Sequence, residues 1–175
     1  MGHNSTKEKI LLLKFEERFI TSEYIGWLNN KSLMQFSEQR HNNHTIKTCK
    51  DYYRSFSNSD NLLYAILNAK TNEHVGNINA YIDSSNKVAD MGIIIGKTRC
   101  GYGYLAWKEM IRILLLKKRM RKITAGAMAI NKPMIKIFKK SGMEYEYTKT
   151  KHFIYYNQFI DLVGYSLFSS NPDVN

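Results

Sequence analysis

The chain has 175 residues, 43% apolar and 23% charged, with a formal net charge of +11; such proportions belong to a folded globular chain and exclude disordered and collagen-like classes. Two cysteines, Cys49 and Cys100, are too few for a disulfide framework or a metal site, and no apolar run approaches the roughly 18 residues of a membrane-spanning helix. The expectation is one domain over residues 1–175 in a reducing, cytoplasmic setting, with no metal and with frayed ends at 1–8 and 169–175.

Lys9–Phe15 reads as a first strand. Thr21 or Ser22 opens a helix that runs toward Phe36 and sets Tyr24, Trp27 and Leu28 on one face. After the polar stretch Ser37–His44, Thr45 caps a second helix, Ile46–Phe56. The period then changes: Asn61–Leu67, Val75–Asp83 and Val88–Gly96 are strand-like runs between turn-rich segments, an antiparallel meander. A helix after Gly103 turns Leu105, Ala106, Ile111, Leu114 and Leu115 toward a core, and Lys122–Met128 is a strand. Lys132–Gly142 holds a short helix with Pro133 in its first turn and Gly142 as its stop. The tail, Lys151–Phe168, reads as two strands joined at Asn157 and Gln158.

The charge is concentrated. From Lys97 to Lys140 there are thirteen Lys and Arg against one acid, Glu109, whereas the remainder has thirteen bases and fourteen acids. Such a block implies an anionic partner: nucleic acid, acidic lipid or a phosphorylated small molecule. Cations from Lys117 to Lys122 complement a helix C-terminus, which leaves Lys97, Arg99, Lys132 and Lys136 to be explained. They surround Gly101 and Gly103, at a strand-to-helix seam where a phosphate commonly sits. Gly101–Ala106 fits the spacing G-x-G-x-x-G/A, but the acid a dinucleotide site needs about twenty residues on is replaced here by KKRMRKIT. A Walker loop is absent from the sequence.

The segment TRCGYG, Thr98–Gly103, resembles the pyrophosphate loop Q/R-x-x-G-x-G/A of the GNAT N-acetyltransferases. ITAGAMAINKPMIKIFKKSGM, from Ile123, is similar to the fifth strand and following helix of that superfamily. FITSEYIGWLNNKSLMQFSEQ and YYNQFIDLVGYSL resemble the opening helix and closing strands of its branch of ribosomal-protein and nucleotide-amino-sugar N-acetyltransferases. The resemblance implies an α/β fold: a mixed, mostly antiparallel seven-stranded sheet with about four helices, its fourth and fifth strands parallel and splayed. It implies acetyl-CoA as cofactor, held by the strand edge at Ile93, Ile94 and Ile95, by the loop residues Thr98, Arg99, Cys100, Gly101, Tyr102, Gly103 and Tyr104, and by Asn131 and Lys136. Coenzyme A then accounts for the cations around the glycines.

The same resemblance places the acceptor pocket around Glu38, Arg40, His41, His44 and Tyr155, with Asp90, Glu38 or His41 as base or water-positioning group. A backbone N–H near Ile93 or Ile94 faces the oxyanion. Three positions depart from the pattern: Thr98 stands where Gln or Arg is usual, Leu105 where this branch often has Glu, and Phe138 where a Tyr acid is often found. Phenylalanine donates no proton. The expected reaction is acetyl transfer to a primary amine by direct attack in a ternary complex, by a monomer or homodimer. A nucleotide-linked amino sugar is the expected acceptor and a protein N-terminus the alternative. From other classes, a non-catalytic acyl-CoA-binding domain and a nucleic-acid-binding domain stay open; no recognition helix or RNA-binding signature supports the second.

Overall fold

The computed structural model describes residues 9–98 and 100–170. Its seven strands are β1 (Ile10–Lys14), β2 (Leu62–Asn68), β3 (His74–Asp83), β4 (Val88–Ile95), β5 (Lys122–Met128), β6 (Glu144–Tyr155) and β7 (Gln158–Phe168). They form one sheet in the order β1-β2-β3-β4-β5-β7-β6, antiparallel throughout except for β4 and β5. Helices α1 (Ser22–Asn29) and α2 (Ile46–Ser57) lie between β1 and β2, α3 (Tyr102–Arg112) connects β4 to β5, and α4 (Lys132–Lys140) connects β5 to β6. This is the mixed α/β architecture the sequence implies.

The sheet is apolar on both faces because its central strands alternate. Along β2, Leu63, Ala65 and Leu67 pack with α1 and α2, whereas Tyr64 and Ile66 pack with α3 and α4. The α3 face is the larger core, closed by Trp107 and Phe138, each 1% exposed, with ring centroids 5.4 Å apart. Burying a side chain of this size contributes on the order of 2–3 kcal/mol. Two local devices fix the helices of the other face: Thr21 accepts from the Tyr24 N–H, and Thr45 and Thr48 form a reciprocal capping box.

Five local expectations are corrected. Helix α1 stops at Asn29 rather than Phe36, because the Asn30 side chain accepts the Leu33 N–H and starts a turn. Helix α3 begins at Tyr102, before Gly103, and ends in a wider π turn over Ile113–Lys117. Leu105 is only half-buried, while Trp107 and Met110 take the core positions. The closing hairpin turns at Tyr156 and Asn157, both with positive φ (45° and 61°), one residue earlier than expected. The Ser169 N–H donates to the Arg121 carbonyl at 2.9 Å, so the ordered chain passes the start of the expected frayed end; residues 1–8 and 171–175 lie outside the described residues. No helix among the described residues is long and apolar enough to cross a membrane.

Candidate active site

Strands β4 and β5 pair over only three rungs, Val88 with Lys122, Ala89 with Ile123 and Asp90 with Thr124. Beyond Asp90, β4 stays paired with β3 as far as Ile95, and β5 stays paired with β7 as far as Met128. The strands therefore part, and the β4 backbone from Met91 to Ile95 faces the opening with no partner strand on that side. Ile93 and Ile95 turn their side chains into the α3 face and Ile94 into the α1 face. Backbone groups alternate sides along a strand, and because the Gly96 N–H donates to Val75 on β3 while the Ala89 carbonyl faces Thr124 on β5, those of Ile93 and Ile95 face the opening and those of Ile94 face β3.

At the upper end of β4 the Trp27 indole lies flat on Gly96, where any Cβ would overlap the ring. The chain then turns into α3 through Gly101, the N-cap, with φ +77° and no side-chain cap. Only glycine adopts this conformation without strain, and a Cβ there would meet no atom within 4 Å. With open space beside a cap that has no side chain, the start of α3 and its dipole form a place suited to an anion. Gly103 matters for packing instead. A Cβ there would lie 3.3 Å from Ile137 Cδ1 and 3.5 Å from Ile95 Cγ1, so its lack of side chain lets α3 close on α4 and β4.

The remaining cofactor candidates divide between backbone and side chain. Tyr102 is corrected to a core residue: it is 5% exposed, and its hydroxyl accepts from Asn68 Nδ2 at 2.8 Å. Tyr104 carries the Lys140 ammonium over its ring at 4.2 Å, which ties α4 to the start of α3. Lys132, Lys136 and Lys140 recur at four-residue intervals along α4 and share a face. The Asn131 side-chain oxygen caps α4 by accepting the Met134 N–H at 3.2 Å, leaving its NH₂ group to face a ligand. Thr98 and Cys100 are exposed, with the Cys100 thiol directed at the Thr98 carbonyl at 3.6 Å; Arg99 lies outside the described residues. Lys97 pairs with Glu73 and stands 3.8 Å from Glu23, so its charge is balanced within the protein. Lys117–Lys122 sits at the far end of α3 and its π turn, about 24 Å of helix from the glycines, and serves the helix C-terminus instead.

Asp90 stands at the fork. The residue is exposed on its open side; its Oδ1 accepts from the Thr124 hydroxyl at 2.7 Å, and partial desolvation by the protein on its other side pushes its carboxyl above the usual aspartate range, against the pull of that hydrogen bond. Its cross-strand partner, Tyr81, packs on Phe56 of α2 with centroids 5.4 Å apart.

The expected acceptor residues gather elsewhere, around the 3₁₀ turn Glu38–His41. Arg40 Nη1 donates to the Ser37 carbonyl at 3.0 Å and to Glu38 Oε1 at 2.6 Å, and Nη2 donates to the Ile154 carbonyl at 3.1 Å. Arg40 is 12% exposed at its side chain; it clamps the β6–β7 tip onto this turn. Tyr155 adds a hydroxyl bond to Gln35 Oε1 at 3.2 Å and a ring contact with Phe36 at 5.9 Å. His44 is tied by backbone bonds in both directions to the Asn29 side chain, and its Nε2 lies 3.3 Å from the Gln39 carbonyl. His41, with Lys31 and Arg40, lines a depression of about 320 Å³ beside the end of α1. No hydrogen bond or ion pair among the described residues joins Asp90 to this group. Phe138, sealed between Trp107 and Tyr165, has no proton to give.

Sequence reasoning missed Thr124, Gln35 and Phe36. Thr124 could be sought only by aligning β4 with β5, and nothing local marks the other two.

A sequence profile of the acetyltransferase (GNAT) domain matches residues 11–144. Solved structures agree in fold. An acetyltransferase of the GNAT family from Bacillus anthracis superposes with TM-score 0.80 at 17% identity, over 95% of this chain and 98% of that one. Spermidine N-acetyltransferase from Vibrio cholerae, solved with CoA and spermine, gives 0.80 at 15% identity over 93% and 96%. The ribosomal L7/L12 α-N-protein acetyltransferase RimL, solved with coenzyme A, gives 0.82 at 12% over 92% and 94%. No curated protein matches significantly by sequence.

Proposed function

The chain belongs to the GNAT acetyltransferase family, an acetyl-CoA-dependent N-acetyltransferase, and from that premise we propose that it acetylates a primary amine at the β4–β5 fork with Asp90 as base. The observation that carries the proposal is the arrest of β4–β5 pairing at Asp90–Thr124, beneath a helix that opens on an uncapped glycine. The first turn of α3 behind Gly101, with the Lys132, Lys136 and Lys140 face of α4 and Lys140 over the Tyr104 ring, suits the phosphates of coenzyme A; the β4 edge without a partner strand suits its amide-bearing arm, and the Asn131 NH₂ is a further donor. When bound, acetyl-CoA supplies an acetyl group activated as a thioester.

An amine of pKa about 10 is mostly an ammonium at neutral pH. A carboxylate at the fork attracts that ammonium and then receives its proton, and the raised pKa of Asp90 moves it toward the range where a base is effective. The backbone N–H of Ile93, on the open side of β4, is the oxyanion donor in this reading. The acceptor we favour is a nucleotide-linked amino sugar, supported by the basic side chains Lys31 and Arg40 and the His41 imidazole in the lining of the depression. A protein N-terminus is the second reading, supported by exposed Ile154, Tyr156 and Phe159 at the hairpin tip, a surface that suits a peptide.

Calorimetric titration with acetyl-CoA and CoA comes first, followed by thiol release with a nucleotide-linked amino sugar, glucosamine, spermine and a hexapeptide with a free N-terminus. Micromolar cofactor binding with turnover of one amine is the expected result. Absence of binding at millimolar acetyl-CoA overturns the proposal.

A further inference from the structure

On the face of β4 that carries Asp90, the next residue is Gly92, in the stretch that faces the opening. Its partner across the β3–β4 ladder is Asn79. A Cβ at Gly92 would lie 2.7 Å from Asn79 Oδ1 and 3.5 Å from its Nδ2. The carboxamide therefore lies over Gly92, in the notch left by the missing side chain, on β4 rather than on its own strand. Asn79 is half-buried, and its side chain makes no hydrogen bond among the described residues. It is also not sealed from water, unlike Asn77 two residues earlier on the same face. Asn77 is 4% exposed, and its Oδ1 is held by His74 Nε2 at 2.8 Å. Of these two asparagines, one is packed and the other is free to take a ligand.

Two residues along a strand span about 6 to 7 Å. That is close to what one nitrogen bridges when it makes a hydrogen bond of about 2.9 Å to a group on either side. Asp90 and the Asn79 carboxamide stand at the two ends of such a span, and Oδ1 is the amide atom nearer the notch. We propose that Asn79 positions the acceptor: its Oδ1 accepts one N–H of the attacking amine while Asp90 receives the other proton, which turns the nitrogen lone pair toward the thioester. Asp90 first passes the proton of the ammonium on to water. In the transfer the N–C bond forms as the C–S bond breaks, one proton of the amine nitrogen passes to the Asp90 carboxylate, and the thiolate takes a proton from water, the hydroxide so formed being neutralised by the proton on Asp90. Gly92 belongs to the device, because any side chain there would occupy the place of the carboxamide. The inference rests on the amine acetyltransferase reading above and adds to it the group that orients the amine.

The test uses the full chain with Asn79→Ala, Asn79→Asp and Gly92→Ala, reading acceptor KM and kcat with whichever of the four amines is turned over, and acetyl-CoA affinity by calorimetry. Asn79→Ala is expected to raise acceptor KM about tenfold or more with acetyl-CoA affinity within about twofold of wild type. Asn79→Asp keeps an accepting oxygen and stays within about threefold, and Gly92→Ala, which displaces the carboxamide, reproduces the Asn79→Ala defect. Unchanged kcat/KM in Asn79→Ala overturns the proposal, as does a loss of acetyl-CoA affinity that matches the loss of turnover, since that marks a structural role. If no amine is acetylated although acetyl-CoA binds, the Asn79 side-chain ¹⁵N–¹H signals, identified by their absence in Asn79→Ala, are followed while spermine is added to the CoA complex. A shift supports the contact and its absence overturns it. Failure of acetyl-CoA to bind brings down the acetyltransferase reading itself.

Discussion

The cofactor end and the acceptor end are built by opposite means. At the cofactor end the groups proposed to bind are mostly backbone: the β4 edge beyond Asp90 and the first turn of α3 behind Gly101. They come from two neighbouring stretches, 91–95 and 102–104. At the acceptor end the geometry is held by side chains that join distant parts of the chain, Arg40 to Ile154 and Tyr155 to Gln35, at separations of 114 and 120 residues. A site made of local backbone tolerates side-chain variation and keeps one ligand. A site made of long-range clamps can change its ligand by changing a few side chains.

The sharpest test of this division is Asp90→Asn, which sits where the two ends meet. Loss of the base is expected to lower kcat by about 10²- to 10⁴-fold while acetyl-CoA affinity holds, read by steady-state kinetics beside calorimetry. The same variant has a stability signature. Because the folded state raises the Asp90 pKa above its unfolded value, the folded chain holds the proton to higher pH, and stability falls as pH rises from about 3.9 through the folded pKa. Asp90→Asn is therefore expected to be more stable than wild type at pH 7, with the gap closing toward pH 3 to 4 in thermal melts.

Next in size is the lysine stripe of α4. Lys136→Glu combined with Lys140→Glu is expected to weaken acetyl-CoA about tenfold or more at low salt, with a smaller ratio at high salt, and to leave the kcat at saturating cofactor unchanged. Charge reversal of Lys117 and Lys118, at the far end of α3, is expected to leave cofactor affinity where it was. Equal effects from the two pairs would make the basic block a diffuse field rather than a phosphate site.

Arg40→Ala probes the other end. The guanidinium is mostly covered and donates to three partners, so its loss is expected to cost about 1–3 kcal/mol of stability and to raise acceptor KM with acetyl-CoA affinity unchanged.

This contrast also explains what was legible in the sequence. Gly101, the strand edge and the α4 lysines announce themselves through local spacing, and strands β2 to β5 through a clear change of period. The misassignments have local physical causes: Asn30 ends α1 with its own side chain, and Tyr102, read as a loop residue between two glycines, is drawn inward by Asn68. Gly103 looked like a second phosphate glycine, yet its role is the approach of Ile137, a packing event that no motif encodes. At the acceptor end the residues could be named from sequence but their contacts could not. Arg40 reads equally well as an anion binder and as a clamp until Ile154 is brought beside it, and Asn79 matters only once Gly92 is its cross-strand partner.

The smallest expected effect concerns Tyr155, expected from sequence to touch substrate and placed by the structure against Gln35. Removing its hydroxyl in Tyr155→Phe deletes one partly buried hydrogen bond, about 0.5–1.5 kcal/mol, while the ring stays against Phe36. If the hydroxyl only fastens the hairpin, Gln35→Leu causes a similar loss, and the double variant is no worse than either single one, because the two groups share one bond. If the hydroxyl also reads the acceptor, Tyr155→Phe raises KM beyond what Gln35→Leu does, and the kinetic effects of the two changes accumulate while their effects on thermal stability do not. A melting series and a KM series on the same three variants thus separate the clamp from the contact.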